Sequence, residues 1–514
     1  LIIKDTIIHN CETTGSNVLY LRVTNLTELE NLTMSNCITK NAAASILYFE
    51  QPQNTQQPMI QINKCKFISC STPNANLGGA GIQLQNVPSI ELIETEFISC
   101  TQANTNAASK VGGAVALTTN SIGTTPVTFT GCKFESNVAA TKGGAIFIDC
   151  ASDVRLSNCN FSSHTNCQNG AAIYISAKAR DVIIDDNSEF NSNEATTFGN
   201  AICLENGIPN AIKIDHATFT NCGTNGARSG QVIYSDASPL IFSNSTIQFD
   251  NNQNAAIGIF MISQADISIT DSVIHNCRGS TSTAATVSGG LNYNRNTPNS
   301  DTSYTFQILN TIFDNNLAGN GRSFNAYVVR PPEIRGVTVR NHQPGTFIFA
   351  VFTPNDYTDE ITLEDCIFEN NTFNGNGDSG GCGIWITHLN TRPEEFPLTF
   401  KNCQFNNNTA PNANGRGGAI AYATSTDSLA PVALIFEDCT FAFNFAGAYG
   451  GALALNTNKA ITIVGCTFSQ NCVAQDAHSN ANAIYLSART IATISETRFI
   501  NNGLNGSAIY FTGL

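Results

Sequence analysis

The sequence predicts an all-β chain wound as a right-handed parallel β-helix, a solenoid of about 17 rungs with three short strands in each. Three observations carry the prediction. A unit of the form Cys-x-Phe-x-x-Asn, a short polar loop and then Gly-Gly-Ala-Ile recurs along nearly the whole chain. The residues before each Phe alternate apolar and polar, the period of a strand. No segment of any length keeps a helical period.

The clearest copy of the unit is GCKFESNVAATKGGAIFI (131–148), with near copies at CQFNNNTAPNANGRGGAI (403–420) and CTFAFNFAGAYGGAL (439–453). Aligning the units gives the anchors Ile8, Met34, Phe67, Phe97, Phe134, Phe161, Phe190, Phe219, Phe249, Ile274, Phe313, Val339, Phe368, Phe405, Phe441, Phe468 and Phe499. Their mean spacing of about 31 residues lies in the range of solenoid repeats.

Each unit opens on alternating segments such as IQINKCKF (60–67), VTFTGCKF (127–134) and ITIVGCTF (461–468). In the last of these, Ile461 and Ile463 share a face, and the next inward pair, Cys466 and Phe468, follows three residues later. That slip of one marks a corner between two strands, the handedness of the winding being the usual right-handed one. The Gly-Gly-Ala-Ile segment supplies a third strand, entered through a turn too tight for a Cβ. Like residues then stack about 4.8 Å apart, so the Phe anchors form an interior column. The third residue after the anchor is Cys in six units, His in two (His164, His342) and Asn in nine. Asn371, Asn408, Asn444, Asn471 and Asn502 are expected to form an amide ladder.

Extra residues concentrate at two places in the unit. One follows Phe-x-x-Asn (101–111, 372–379, 409–416), and the other follows the Gly-Gly strand (294–303, 389–397, 423–431). Insertions at fixed corners face outward, which is where binding is expected.

A continuous repeat favours one domain over 1–514. Charged residues are only 12% of the chain and the net charge is −14, with no Lys/Arg block. This argues against nucleic acid and against an anionic membrane face as partners. No apolar run approaches the roughly 18 residues of a spanning helix, so no membrane insertion is expected within this segment. The chain opens at Leu1 without a leader, and neither end shows a polar cap over its open strands. It reads as a segment of a longer chain, or as one that meets like subunits end to end.

The chain has eighteen Cys, and ten of them occupy matching column positions: Cys11, Cys37, Cys70 and Cys100 in the first four units, Cys132 and Cys159 in adjacent ones, and Cys366, Cys403, Cys439 and Cys466 in four late ones. Stacking at this spacing allows disulfides between turns, and it equally suits buried thiols acting as small filler. No CxxC pair or carboxylate cluster suggests a metal, and no cofactor motif stands out. Sequons at Asn25, Asn31, Asn160, Asn244, Asn370, Asn407 and Asn505 are glycosylation candidates if the chain is secreted by a eukaryote.

The alternation of Phe-x-x-Asn with Gly-Gly-Ala-[Ile/Leu/Val] resembles the repeats of the polymorphic outer membrane protein (Pmp) family of chlamydiae and similar surface proteins of some protists. Nine anchor Phe carry the Asn, and four Gly-Gly-Ala segments end in Val115, Ile146, Ile420 and Leu453. The resemblance implies an extracellular or cell-surface β-helical passenger acting in adhesion, though no membrane barrel follows here. A host or neighbouring-cell surface, or its glycans, would be the partner.

A second resemblance points to an enzyme. IKIDHATF (212–219) is similar to the Trp-Ile-Asp-His segment of pectate lyases, with Lys213 in place of the Trp. Arg330-Pro331-Pro332-Glu333-Ile334-Arg335 fits their Arg-x-Pro-x-x-Arg pattern. This implies Asp215 in the site and Arg330 or Arg335 as the base that takes the proton α to a uronate carboxylate, with Ca²⁺ acidifying it. Against it, Asp215-His216 falls where other units place Glu364-Asp365, Lys401-Asn402 and Glu437-Asp438, a solvated corner. Asp185-Asp186 falls at such a corner too, and Trp385, the only Trp, lies on a strand as a possible sugar platform. The expected function is a non-catalytic surface scaffold for adhesion or matrix or filament assembly, with a polysaccharide lyase as the alternative.

Overall fold

The computed structural model describes residues 1–22, 26–40, 45–50, 59–73, 79–85, 89–102, 111–118, 126–225, 230–250, 254–262, 265–279, 288–293, 304–316, 323–328, 330–342, 349–353, 359–372, 384–388, 396–412, 414–423, 433–457, 459–474, 481–488, 491–503 and 506–512. These residues form strands, turns and bends, and no helix. They divide into two units, 1–266 and 267–514.

In the first unit each turn lays one strand into each of three parallel sheets. The turn that starts at Val127–Thr130 passes a corner at Gly131, continues as Lys133–Glu135, passes a second corner at Ser136, and reaches the third sheet as Ile146–Asp149. The next turn repeats this with Val154–Ser157, Asn160–Ser162 and Ile173–Ile175, paired in register with the one before. In the first two sheets inward residues are buried and outward ones mostly half-exposed, as in the buried Val127 and Phe129 flanking Thr128. The period-two pattern is therefore the inside–outside alternation of each strand.

Registration puts anchor over anchor. Phe67, Phe97, Phe134, Phe161, Phe190 and Phe219 follow one another with ring centroids 5.0, 5.0, 4.8, 4.7 and 4.6 Å apart and planes within 9° of parallel. Burial of each such ring contributes about 2–3 kcal/mol, with roughly 1 kcal/mol more from ring contact. One anchor differs from the sequence reading. Phe219 pairs with Ile247, so Ile247 holds the interior place and Phe249 lies two residues on. Both share the face parity of an alternating strand, and the turn-to-turn bonds choose the earlier one. The third position after the anchor in that turn is thus Asp250, and Asn252 lies outside the described residues.

The second unit is built likewise. Phe368, Phe405, Phe441, Phe468 and Phe499 stack at 5.2, 4.8, 4.6 and 5.1 Å. Three strands per turn understates some turns. A further two-residue strand follows the second corner, as in Thr101–Gln102 paired with Val138–Ala139, and in Thr409–Ala410, Phe445–Ala446 and Cys472–Val473.

Both residues of the Gly pair are required, for different reasons. Gly143 sits at φ +67, and a Cβ there would meet the Ile146 carbonyl oxygen at 2.3 Å. Gly144 has no such φ, but its Cβ would lie 2.1 Å from the carbonyl oxygen of Ala171 in the next turn. Between these two turns the backbones approach too closely for a side chain, whereas the following turns carry Ala171, Asn200 and Gln231 at the place of Gly144.

The two columns at the corners hold most of the Cys and the Asn of Phe-x-x-Asn. Two residues before the anchor, Cys132 and Cys159 direct their thiols at the carbonyl oxygens of Thr130 (3.7 Å) and Ser157 (3.4 Å). In the same column Ser245 and Thr95 hydroxyls donate to Ser243 (2.6 Å) and Ile93 (3.0 Å). In the second unit Cys366, Cys403, Cys439 and Cys466 share the role with Ser272 and Thr311. The described cysteines are free thiols, and here each does the work of a small hydroxyl.

Three residues after the anchor runs the predicted amide ladder. Asn371, Asn408, Asn444 and Asn471 each donate from the backbone N–H and from Nδ2 to the Oδ1 of the next Asn, at 2.9–3.2 Å. Nδ2 of Asn408, Asn444, Asn471 and Asn502 also donates back to the carbonyls of Phe368, Phe405, Phe441 and Phe468.

Candidate binding surfaces

With the inward residues consumed by packing, chemistry is left to the corners and to the outward columns. The first corner is a left-handed backbone position in nearly every turn, held by Asn31, Asn158, His216 and Asn244 in the first unit and by Asp365, Asn402 and Asp438 in the second. Asn and Asp tolerate that conformation, which accounts for their recurrence.

Asp215 and His216 belong to this corner. Asp215 accepts from Ser243 Oγ (2.7 Å) and Asn244 Nδ2 (2.8 Å) of the next turn, and its other oxygen lies 2.8 Å from His216 Nδ1. Partial burial pushes the carboxyl up, but these bonds outweigh it and hold Asp215 below the usual carboxylate range. Its partners are thus those of a structural corner. Arg335, in the strand Glu333–Arg335, is clasped by the following turn: Nε lies 3.1 Å from Asp365 and 3.8 Å from Glu364. Asn402 first, and then Arg335, hold Asp365 below its ordinary value. Arg330 is exposed, just before that strand. Asp215 lies in the first unit and both arginines in the second.

Of the sequons, Asn31, Asn244, Asn370 and Asn407 are exposed at left-handed corners. Asn160 lies in a strand and donates to Glu189 (3.1 Å), and Asn25 and Asn505 lie outside the described residues. The side chain of Trp385 also lies outside them, though its backbone pairs with Ala350.

Two surfaces in the first unit were not foreseen. On the outward face of the third sheet, Phe147, Tyr174, Cys203 and Tyr234 fall in register and are buried, with Phe260 packed against Tyr234 at 5.9 Å. Lys142 Nζ lies 4.3 Å from the Tyr174 ring centre and 3.1 Å from Glu205. Burial above all, with Cys203 and Glu205 nearby, pushes the Tyr174 hydroxyl well up, so it stays protonated and donates to Glu205. The available sequence signal for this stripe is the residue after the Ile that stands three places beyond a Gly: Phe147 after Gly143, Tyr174 after Gly170, Cys203 after Gly199 and Tyr234 after Gly230.

The second surface is a groove of about 460 Å³ over the start of the first-sheet strands, lined by Thr128, Asp153, Arg155, Asp181, Ile183 and Lys213 among others. Arg155 is drawn to one side by Asp185 (2.7 Å) and Asp186 (3.5 Å), which assigns that acidic pair to an ion pair between turns. Among the described residues no three His, Cys, Asp or Glu stand close enough to share a metal ion.

A family model for a right-handed β-helix region matches residues 144–321. No curated protein matches the chain. Among solved structures, a mutant of the PL6 family alginate lyase AlyGC is similar over 100% of this chain and 96% of its own, at 10% sequence identity and a TM-score of 0.24. The chain is a right-handed parallel β-helix.

Proposed function

We propose that the chain is a non-catalytic scaffold of the cell surface or extracellular space, related in kind to Pmp-like repeats, that presents its insertions to a partner surface or its glycans. One observation carries the reading: strand register continues across the long insertions. The insertion after Thr372 leaves from a residue bridged to Thr409 and returns at Ile384–His388, which pairs residue for residue with Phe349–Thr353. The insertion after Ala423 is followed by Ala433–Glu437, in full register with Pro397–Lys401. Variable segments thus leave and rejoin an unvarying frame at the same two corners, the arrangement of a display scaffold. Many weak contacts along such a frame act together through effective concentration.

Arg335 and Asp215 of the lyase alternative have structural partners instead, since Arg335 is paired with Glu364 and Asp365, and Asp215 accepts from Ser243 and Asn244 of the next turn. The test is direct. Binding of the purified chain to cell surfaces and to a glycan array is measured before and after residues 424–430 are replaced by a short turn; the expected result is loss of binding with unchanged far-UV circular dichroism. Release of unsaturated uronates from pectate or alginate, abolished by Arg335→Lys, would overturn the reading in favour of the enzyme.

A further inference from the structure

Phe443 is out of place. In the second unit the second corner is held at positive φ by Asn276, Asn315, Asn341, Asn370, Asn407, Gln470 and Asn501, all polar. Phe443 adopts the same conformation at φ 59, costly for a bulky residue, and leaves 58% of its surface exposed. The interior stack does not use it, because Phe441 already holds the anchor place.

Its neighbour one turn back is Asn407, the first residue of the sequon Asn407-Asn408-Thr409. The two corners are joined directly: the Asn407 N–H donates to the carbonyl of Ala442 (2.9 Å), the residue before Phe443, so the side chains emerge one strand spacing apart, about 4.8 Å. Asn407 is exposed, and its Nδ2 spends one hydrogen on Asn370 Oδ1 (2.8 Å). A second hydrogen remains for substitution. The other exposed corner sequons, Asn31, Asn244 and Asn370, have no aromatic residue at the corner of the following turn.

We propose that Asn407 is an N-glycosylation site whose first sugar packs against the ring of Phe443. In the modification, Asn407 Nδ2 forms a bond to C1 of an N-acetylglucosamine carried on a lipid pyrophosphate donor. The C1–oxygen bond to the pyrophosphate breaks, the lipid pyrophosphate leaves, and Nδ2 gives up one proton. The hydrogen that remains keeps the bond to Asn370. The sugar's axial C–H groups meet the electron-rich ring face, which withdraws the exposed Phe from water and offsets its backbone strain. This proposal stands apart from the adhesive role, and either can fail alone.

The full chain is secreted from a eukaryotic host that installs N-glycans, and occupancy of Asn407 is read by glycopeptide mass spectrometry. Hydrogen exchange over residues 440–446 is then compared with and without the glycan, for the parent and for Phe443→Asn. That variant carries the residue found at corners 370 and 407, so it should fold. Expected are an occupied Asn407 and several-fold slower exchange on glycosylation in the parent only; without glycan, Phe443→Asn exchanges more slowly than the parent. An unoccupied Asn407, or equal slowing in both backgrounds, would overturn the proposal.

Discussion

Asn444 Oδ1 accepts two hydrogen bonds from Asn408, one from the backbone N–H at 3.0 Å and one from Nδ2 at 3.1 Å. Each Asn of the ladder therefore closes the corner of the turn before it, and both groups are buried.

Asn408→Ala should leave the Asn371 N–H and Nδ2 without their acceptor, and the Phe368 carbonyl without this donor. At about 1–3 kcal/mol per buried unsatisfied group, local opening should become easier by roughly 2–4 kcal/mol. Hydrogen exchange over 367–372 and 404–410 measures it. Asn408→His should recover part of the loss, because His342 already accepts from the Asn316 N–H through Nε2 (3.2 Å) in this column.

The two ladder histidines make stability depend on pH. His164 accepts from the Asn137 N–H at Nδ1 (3.0 Å), and burial lowers both His164 and His342 from 6.5 to about 4. A neutral buried His binds fewer protons than the unfolded one between those values, so stability is full above pH 6.5 and falls as pH drops toward 4. Each contributes at most about 3 kcal/mol over that window. His164→Asn should flatten the acid limb of exchange around residues 134–139 and 161–166 while leaving that around His342 unchanged.

Gly144→Ala should be far worse than Gly131→Ala. The first drives a Cβ to 2.1 Å from a backbone oxygen, whereas a Cβ at Gly131 meets only Glu94 Cγ at 3.6 Å. Gly131 retains the left-handed penalty alone, about 1 kcal/mol. Soluble yield and urea unfolding of the two variants should separate accordingly, with Gly131→Asn close to the parent.

Cys439→Ser should cost little, because Ser245 and Ser272 fill the same column with the same bond. Cys439→Val removes the donor to the Glu437 and Phe400 carbonyls (both 3.3 Å) and should cost more, by about 1 kcal/mol. Paired urea titrations measure the difference.

Much of this molecule was legible residue by residue. The Phe column, the Gly pair, the Asn ladder and the corner identity of Asp215-His216 all follow from the repeating unit. Stacking like on like imposes one local constraint many times, and each repetition writes the same residue types at the same spacing. Other features were settled only when the turns were set side by side. Ile247 and Phe249 are both buried, and bonds to Thr218–Thr220 decide which of them takes the anchor place. Lys142 and Glu205 are 63 residues apart and meet across Tyr174 on an outward column that no interior rule constrains. The clasp of Arg335 by Glu364 and Asp365 is likewise a contact between turns. Periodicity reports what each turn repeats; the outer face is made of what differs between neighbouring turns, and only their stacking brings those differences together.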